Sequence, residues 1–150
     1  MDKHAVHAEH APKAIGPYSP AIQYADLVFT SGQLGLNPES GAMVEGGVEA
    51  ETRQALNNLK AVLEEAGSGL DYVLKTTVFM RDMNDFARMN AVYGEFFTEN
   101  PPARSAVQVA ALPKNGAVEI ECVAYLLEEE CDCDCDDENC CSCGDDKDEK

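Results

Sequence analysis

The stretch NPPARSAVQVAALPKNG, residues 100–116, decides how the rest of the chain is expected to fold. Its two prolines end the preceding element, because Pro cannot continue a helix and pushes the residue before it toward extended geometry. Residues 104–112 then alternate in polarity, which is typical of a half-buried strand. Residues 113–116 read as a turn, and a second alternating run over 117–126 is expected to return antiparallel, giving a hairpin.

The predicted hairpin has one apolar face and one polar face. The apolar side of its second strand consists of Val118, Ile120, Cys122, Ala124 and Leu126. The opposite face is expected to carry Arg104 with Gln108 on the first strand, and Glu119 with Glu121 on the second. A guanidinium on a rigid strand, with carboxylates a strand away, is suited to hold a small acid and move protons beside it.

The remaining elements are predicted from the spacing of apolar residues. They are a hairpin over 21–24 and 27–34, a short edge strand at 43–44, a helix over 48–66, a strand over 72–80 and a second helix capped by Asp82. Two amphipathic helices are expected to pack on one face of a mixed sheet. The predicted fold class is therefore α+β, with two layers.

Composition divides the chain into three parts. Residues 1–13 are polar and are expected to form a flexible lead. Residues 14–127 are long enough for one domain with its own core. Residues 128–150 contain 12 acids and two lysines, which account for −10 of the net charge of −17. This acidic tail is expected to be disordered.

Metal-ligating residue types occur outside the predicted domain, and whether they bind metal is left open. His4, His7 and His10 would roughly align on a helix, but no carboxylate or cysteine completes a tetrahedral site, so a plain flexible terminus is favoured. The tail holds six of the seven cysteines, between Cys131 and Cys143. They are equally consistent with soft-metal binding and with a disordered appendage.

Several functional classes are disfavoured. No run of 18 or more apolar residues is present, and residues 1–11 lack the apolar core of a secretory signal, so a cytoplasmic protein is expected. The acidic charge counts against nucleic acid as a main partner. No nucleotide-binding loop or zinc motif is present, so we expect no cofactor. The seventh cysteine, Cys122, is expected to be a small buried hydrophobe.

The pattern Pro-Pro-Ala-Arg-Ser-x-Val-x-Val-x-x-Leu-Pro at 101–113, with Val-Glu-Ile-Glu at 118–121, resembles the signature of the Rid family, the RidA/YjgF reactive intermediate deaminases. Gly-Pro-Tyr-Ser-Pro at 16–20 and Thr-Ser-Gly-Gln at 30–33 are also similar to family motifs. The resemblance covers residues 11–126. It implies a chorismate-mutase-like fold and a homotrimer with a ligand cleft at each subunit junction.

The resemblance also implies an activity. Rid proteins hydrolyse unstable enamines and imines, such as 2-aminoacrylate, 2-iminopropanoate and 2-iminobutanoate, to 2-keto acids and ammonia. Such species arise when pyridoxal-phosphate dehydratases act on serine or threonine. Two alternatives remain: an endoribonuclease, which has been ascribed to some relatives, and a non-catalytic carboxylate-binding or chaperone-like protein, with a tail that sequesters metal.

Roles for individual residues follow from the same resemblance. Arg104 matches a carboxylate clamp, for which its planar fork is suited; the alternative is a structural ion pair with Glu119 or Glu121 at an interface. Glu119 matches the acid that positions water and acts as general acid or base. Tyr18 and Ser31 match residues that contact the substrate or close over it.

Two further positions, Asn90 and Ala106, match the family pattern in different ways. Asn90 matches a polar family position, where a ligand contact and a structural hydrogen bond are both consistent with the sequence. Backbone groups at Ser31 and Ala106 are expected to complete the polar lining of the cleft. Ala106 stands where many Rid proteins have Cys, so a thiol role at this position is impossible here.

Overall fold

The computed structural model describes residues 2–127, which form a mixed sheet of seven strands and two α-helices. The elements are, in chain order, β1 (His4–Val6), β2 (Ala21–Tyr24), β3 (Leu27–Thr30), β4 (Gln33–Leu34), α1 (Gly47–Glu65), β5 (Val73–Met80), α2 (Phe86–Phe96), β6 (Ala103–Gln108) and β7 (Val118–Tyr125). The sheet order is β1-β2-β3-β7-β5-β6, and β4 also pairs with β7. Only β5 and β6 run parallel, so the predicted α+β fold with a mixed sheet is confirmed.

Both helices pack on one face of the sheet, and the core lies between the two layers. The apolar stripe of α1 is buried as the periodicity predicts, and it consists of Val48, Ala55, Leu56, Leu59, Val62 and Leu63. Helix α1 ends before Gly67, whose φ of 77° is a conformation that favours glycine. Asp82 caps a short 3₁₀ turn, Met83–Asp85, by accepting a hydrogen bond from Asn84 N, and α2 begins directly after this turn.

The predicted hairpin over residues 104–126 is wrong, because β5 lies between β6 and β7. The connection from β6 to β7 passes the end of β5: Val109 N donates to Met80 O, and Arg81 N donates to Ala117 O. Strand β5, helix α2 and strand β6 form a crossover unit, which brings the two strands together in parallel. The apolar side of β7 is nevertheless as predicted, with Val118, Ile120, Cys122 and Ala124 all buried.

Two shorter elements also differ from the sequence prediction. The strand expected over 27–34 is interrupted at Ser31 and Gly32, so β3 and β4 pair with separate parts of β7. Near the interruption, Thr30 Oγ1 accepts from Cys122 N at 2.9 Å in place of a regular ladder bond. The edge strand expected at 43–44 is reduced to an isolated bridge between Leu36 and Met43.

The N-terminal segment is packed, in contrast to the flexible lead expected for residues 1–13. Strand β1 pairs with β2, and the side chains of Val6 and Ala11 are buried in the core. Helical alignment of His4, His7 and His10 is excluded, because His4 lies in a strand. The predicted tail, residues 128–150, lies outside the described residues. Within residues 2–127, no helix is long and apolar enough to cross a bilayer.

Cys122 is the buried thiol that the sequence predicts. Cys122 is 3% exposed, and its Sγ atom lies 3.7 Å from Oγ1 of Thr30. Burial raises the pKa of the Cys122 thiol to about 12, outweighing the opposite effect of the Thr30 hydrogen bond. The thiol is therefore protonated at neutral pH and behaves as part of the core.

Candidate functional site

A cleft opens on the sheet face that the helices leave uncovered, beside the interruption between β3 and β4. Its lining consists of Ile15, Tyr18, Thr30, Ser31, Gly32, Leu34, Pro113, Glu119 and Glu121. The cleft has a volume of about 470 Å³, within the usual range for small-molecule sites. Three of the four residues predicted to be catalytic therefore line one cavity: Tyr18, Ser31 and Glu119.

Glu119 lies on β7, with its side chain packed against Gly32. A Cβ atom at position 32 would overlap Glu119 Oε1, so the glycine is what admits the carboxyl group here. Burial raises the pKa of the Glu119 carboxyl, and the negative charge of Glu121 raises it further. A carboxyl group whose pKa is shifted toward neutrality is suited to exchange protons with a ligand.

Ser31 holds the segment that carries Tyr18. Its hydroxyl donates to Ser19 O at 2.7 Å, and its backbone N–H donates to Pro20 O at 2.9 Å. Ser31 lines the cleft, but its backbone N–H is already bonded to Pro20 O and is not available to a ligand. Tyr18 is 46% exposed, and its hydroxyl accepts a hydrogen bond from Ile15 N.

Arg104 lies on edge strand β6, on the face of the sheet that the helices cover. Its register partner is Thr76, whose side chain is buried in that layer. The guanidinium carbon lies 4.5 Å from the ring centroid of Tyr93 and 5.6 Å from that of Phe86, both on α2. Tyr93 is itself fixed by a 2.7 Å hydrogen bond between its hydroxyl and Thr76 Oγ1. The aromatic rings orient the guanidinium without using its hydrogen-bonding fork.

The guanidinium of Arg104 has no carboxylate within 4 Å among residues 2–127. An ion pair of Arg104 with Glu119 or Glu121 within one chain is therefore absent among these residues, and the predicted alternative, an ion pair across an interface, stays a prediction. The prediction that Arg104 shares a sheet face with these two carboxylates is also wrong. Glu121 pairs with Thr77, whereas Arg104 pairs with Thr76, and adjacent residues of a strand point to opposite faces.

The other two predicted contact residues lie on the arginine side of the sheet. Ala106 pairs with Val78 and packs against the core. Asn90 is exposed on α2, one turn after Phe86 and one turn before Tyr93, so it lies on the helix stripe that Arg104 contacts. The apolar spacing along α2 is typical of core residues, and it carries no signal that Phe86 and Tyr93 also support Arg104.

One chain therefore carries two separate half-sites. The acid half-site consists of Tyr18, Ser31, Glu119 and Glu121 on the uncovered face. The arginine half-site consists of Arg104, Asn90 and Phe86 at the edge of the helix-covered face. The first contains two carboxyl groups, and the guanidinium of the second has no carboxylate partner among residues 2–127, with a planar geometry that suits a carboxylate. Within the described part of the chain, no group of three or more His, Cys, Asp or Glu residues is placed to hold a metal ion.

Comparison with known proteins gives a consistent result. A model of the family described as Endoribonuclease L-PSP matches residues 8–126. A RutC family protein of Pyrococcus abyssi is 48% identical over 125 residues, covering 83% of this chain and 98% of that protein. A 2-iminobutanoate/2-iminopropanoate deaminase of Mus musculus is 52% identical over 114 residues, covering 76% of this chain and 84% of that protein.

A solved structure extends the similarity to three dimensions. The crystal structure of E. coli TdcF with bound serine superposes with a TM-score of 0.79 at 40% identity, covering 83% of this chain and 99% of that one. The family match spans most of the chain, and the sheet and helices that it covers are those described above. In agreement with its resemblance to the Rid proteins, the chain belongs to the endoribonuclease L-PSP family.

Proposed function

We propose that the protein is a 2-iminobutanoate/2-iminopropanoate deaminase, which hydrolyses small 2-imino acids and their enamine tautomers to 2-keto acids and ammonia in the cytoplasm. The observation that carries the proposal is the chemistry of the two half-sites: a guanidinium with a free fork, and a carboxyl group with a raised pKa. The first matches the carboxylate of an imino acid, and the second matches the proton transfers of imine hydrolysis.

The two half-sites belong to different copies of the chain in this proposal, because they lie on opposite faces of one sheet. The uncovered face carries exposed apolar side chains, among them Phe29, Val107 and Tyr125, which favour burial against another copy. In a homotrimer, each copy would give its arginine half-site to one neighbour and its acid half-site to the other, so that the ring closes.

The reaction then needs only water and proton transfers. Arg104 of one copy binds the substrate carboxylate through two parallel hydrogen bonds. Glu119 of the next copy accepts a proton from water as the water oxygen bonds to the imine carbon and the C=N electron pair moves to nitrogen. Glu119 returns the proton to nitrogen, which gives a carbinolamine. The proton of its hydroxyl group then passes through Glu119 to the amino nitrogen, the C–N bond breaks, and ammonia leaves as the keto group forms. No cofactor is required.

The relatives support a ligand of this kind. The named mouse deaminase shares 52% identity with this chain. The solved TdcF structure holds serine, a small amino acid whose carboxylate is next to the substituted carbon, as in a 2-imino acid. Ala106 contributes no thiol, so the proposed mechanism uses none.

The test is the rate of keto-acid and ammonia formation from imines generated in situ from several amino acids. We expect the protein to accelerate hydrolysis above the rate in buffer, and the Arg104→Ala variant to lose most of this acceleration. Hydrolysis at the buffer rate with every imine would refute the proposal and favour a non-catalytic, carboxylate-binding role.

An endoribonuclease is the second candidate, because the matching family model carries that description. The net charge of −17 opposes it, since the phosphate backbone would be repelled. RNA cleavage that persists in the Arg104→Ala variant would indicate a site other than the one described above.

A further inference from the structure

Glu65 occupies a position that the helix itself disfavours. It is the last residue of α1, and a carboxylate there opposes the helix dipole, whose C-terminal end is already negative. No basic residue in the last turn compensates for it. A charge placed against the local electrostatic preference suggests a compensating role elsewhere in the fold.

The compensation comes from the N-terminal segment. Both oxygens of Glu65 accept backbone hydrogen bonds: Oε2 from Glu9 N at 2.7 Å and Oε1 from His10 N at 2.8 Å. His10 Nδ1 lies 3.1 Å from the same Oε1. The two backbone bonds lower the pKa of the Glu65 carboxyl, which shows that they favour its charged form. Glu65 therefore fixes the backbone at residues 9 and 10.

The segment fixed in this way leads directly to the cleft. After buried Ala11, residues 13–18 are exposed, and Ile15 and Tyr18 line the cleft beside Glu119. Within residues 2–127, the hydrogen bonds of residues 12–17 are confined to Ile15 and Gly16, which both bond to Tyr18. The segment is thus held at its two ends, by Glu65 before it and by Ser31 after it.

We propose that Glu65 is a positioning residue for Tyr18: by holding residues 9 and 10, it keeps the segment over residues 12–18 against the cleft. This inference rests on the proposed function only for its kinetic consequence. Without the hydrogen bonds to Glu65, the segment would spend part of its time away from the cleft. The apparent affinity for substrate would then be reduced in proportion to the time that the segment spends away from the cleft.

The first measurement is amide hydrogen exchange of the full chain, which needs no activity. In Glu65→Ala, exchange of the hydrogen-bonded amides of this segment is expected to rise by about tenfold or more, as when charge-assisted hydrogen bonds are lost; these are the amides of Glu9, His10, Ile15 and Tyr18. Exchange in β5 and β7 is expected to stay unchanged. Glu65→Gln keeps one carbonyl acceptor, so its exchange rates are expected to lie between those of the parent and those of Glu65→Ala. The matched control is Glu64→Ala, since within residues 2–127 the Glu64 side chain makes only an exposed contact with Lys60.

The second measurement is the separation of KM from kcat. We expect Glu65→Ala to raise KM with kcat nearly unchanged, because saturating substrate selects the closed segment. A general loss of folded protein would instead lower kcat at constant KM. Unchanged exchange of the Ile15 and Tyr18 amides in Glu65→Ala would overturn the inference whether or not the parent is a deaminase. Increased exchange with KM unchanged in an active enzyme would overturn the link to Tyr18. An inactive parent would refute the proposed function, and the exchange result would still decide whether Glu65 anchors the segment.

Discussion

Two inactive variants of this protein should restore each other's activity when their chains are mixed. The reason is geometric: Arg104 and Glu119 point to opposite faces of one sheet, so one copy cannot bring them together. Arg104→Ala removes the arginine half-site of a copy and leaves its acid half-site intact. Glu119→Gln removes the proton-exchanging group and leaves the arginine half-site intact, since an amide cannot relay a proton.

The size of each effect follows from the interactions lost. Hydrogen bonds to charged groups contribute about 1.5–3 kcal/mol, so Arg104→Ala should reduce kcat/KM by about one to two decades. In an equal mixture of exchanged chains, half of the copies supply an intact arginine and half supply an intact glutamate. About a quarter of the junctions then combine the two intact halves, whatever the number of copies in the closed ring.

The assay is keto-acid formation by co-refolded variants, compared with each variant alone at the same total concentration. A pair mutated in the same half-site, Glu119→Gln with Tyr18→Phe, is the matched control, and it should gain nothing on mixing. If the Arg104→Ala and Glu119→Gln chains exchange but recover no activity, the two residues do not meet in one site. Recovery of equal size in the control pair would contradict the assignment of Tyr18 and Glu119 to the same half-site.

Three further results are expected. Gly32→Ala should lower kcat with little loss of thermal stability, because the new methyl group displaces the Glu119 carboxylate; an unchanged kcat would show that the position of this carboxylate is unimportant. Glu121→Gln should shift the kcat/KM profile to lower pH, because the charge of Glu121 raises the pKa of Glu119; a profile that stays in place or moves to higher pH would contradict the role of Glu119. Truncation after Leu127 should leave the melting temperature and deaminase activity nearly unchanged, because the removed sequence has no apolar periodicity; a marked fall in melting temperature of the metal-free protein would contradict this.

The elements of this fold could be predicted from the sequence because their signals are local. The apolar stripe of α1 and the alternation of β7 each extend over enough residues to fix the type of element and its buried side. The order of the strands could not be predicted in the same way. The sequence predicts a turn of four residues at 113–116, which fits a hairpin, whereas in the structure β6 ends at Gln108 and the connection covers residues 109–117, longer than the usual hairpin loop of about two to five residues. The helix predicted between β5 and β6 was the available sign, since it allows a parallel crossover.

The sequence prediction placed Arg104 on the wrong face of the sheet for the same reason, because local patterns do not show how strands are arranged. Alternation correctly groups Arg104, Ala106 and Gln108 on one side of β6, but it does not tell which side faces the helices. The polar residues were placed on the open face, whereas this edge strand turns them toward α2. There Arg104 stacks on Tyr93, and Gln108 Oε1 accepts a hydrogen bond from Met83 N. Polar side chains at the edge of a helix-covered layer can therefore find partners on the helix side. The polarity of the sequence alone does not show which face they occupy.

The inert thiol of Cys122 makes the rest of the cysteines chemically distinguishable. A thiol with a pKa of about 12 in the core does not react at neutral pH with alkylating reagents, which require the thiolate. Labelling of the native protein is therefore expected to report on the six cysteines of residues 131–143 without background from Cys122. Protection of these six from a thiol reagent on addition of Zn²⁺ would count the coordinating thiols directly, in the full-length chain and with no substitution.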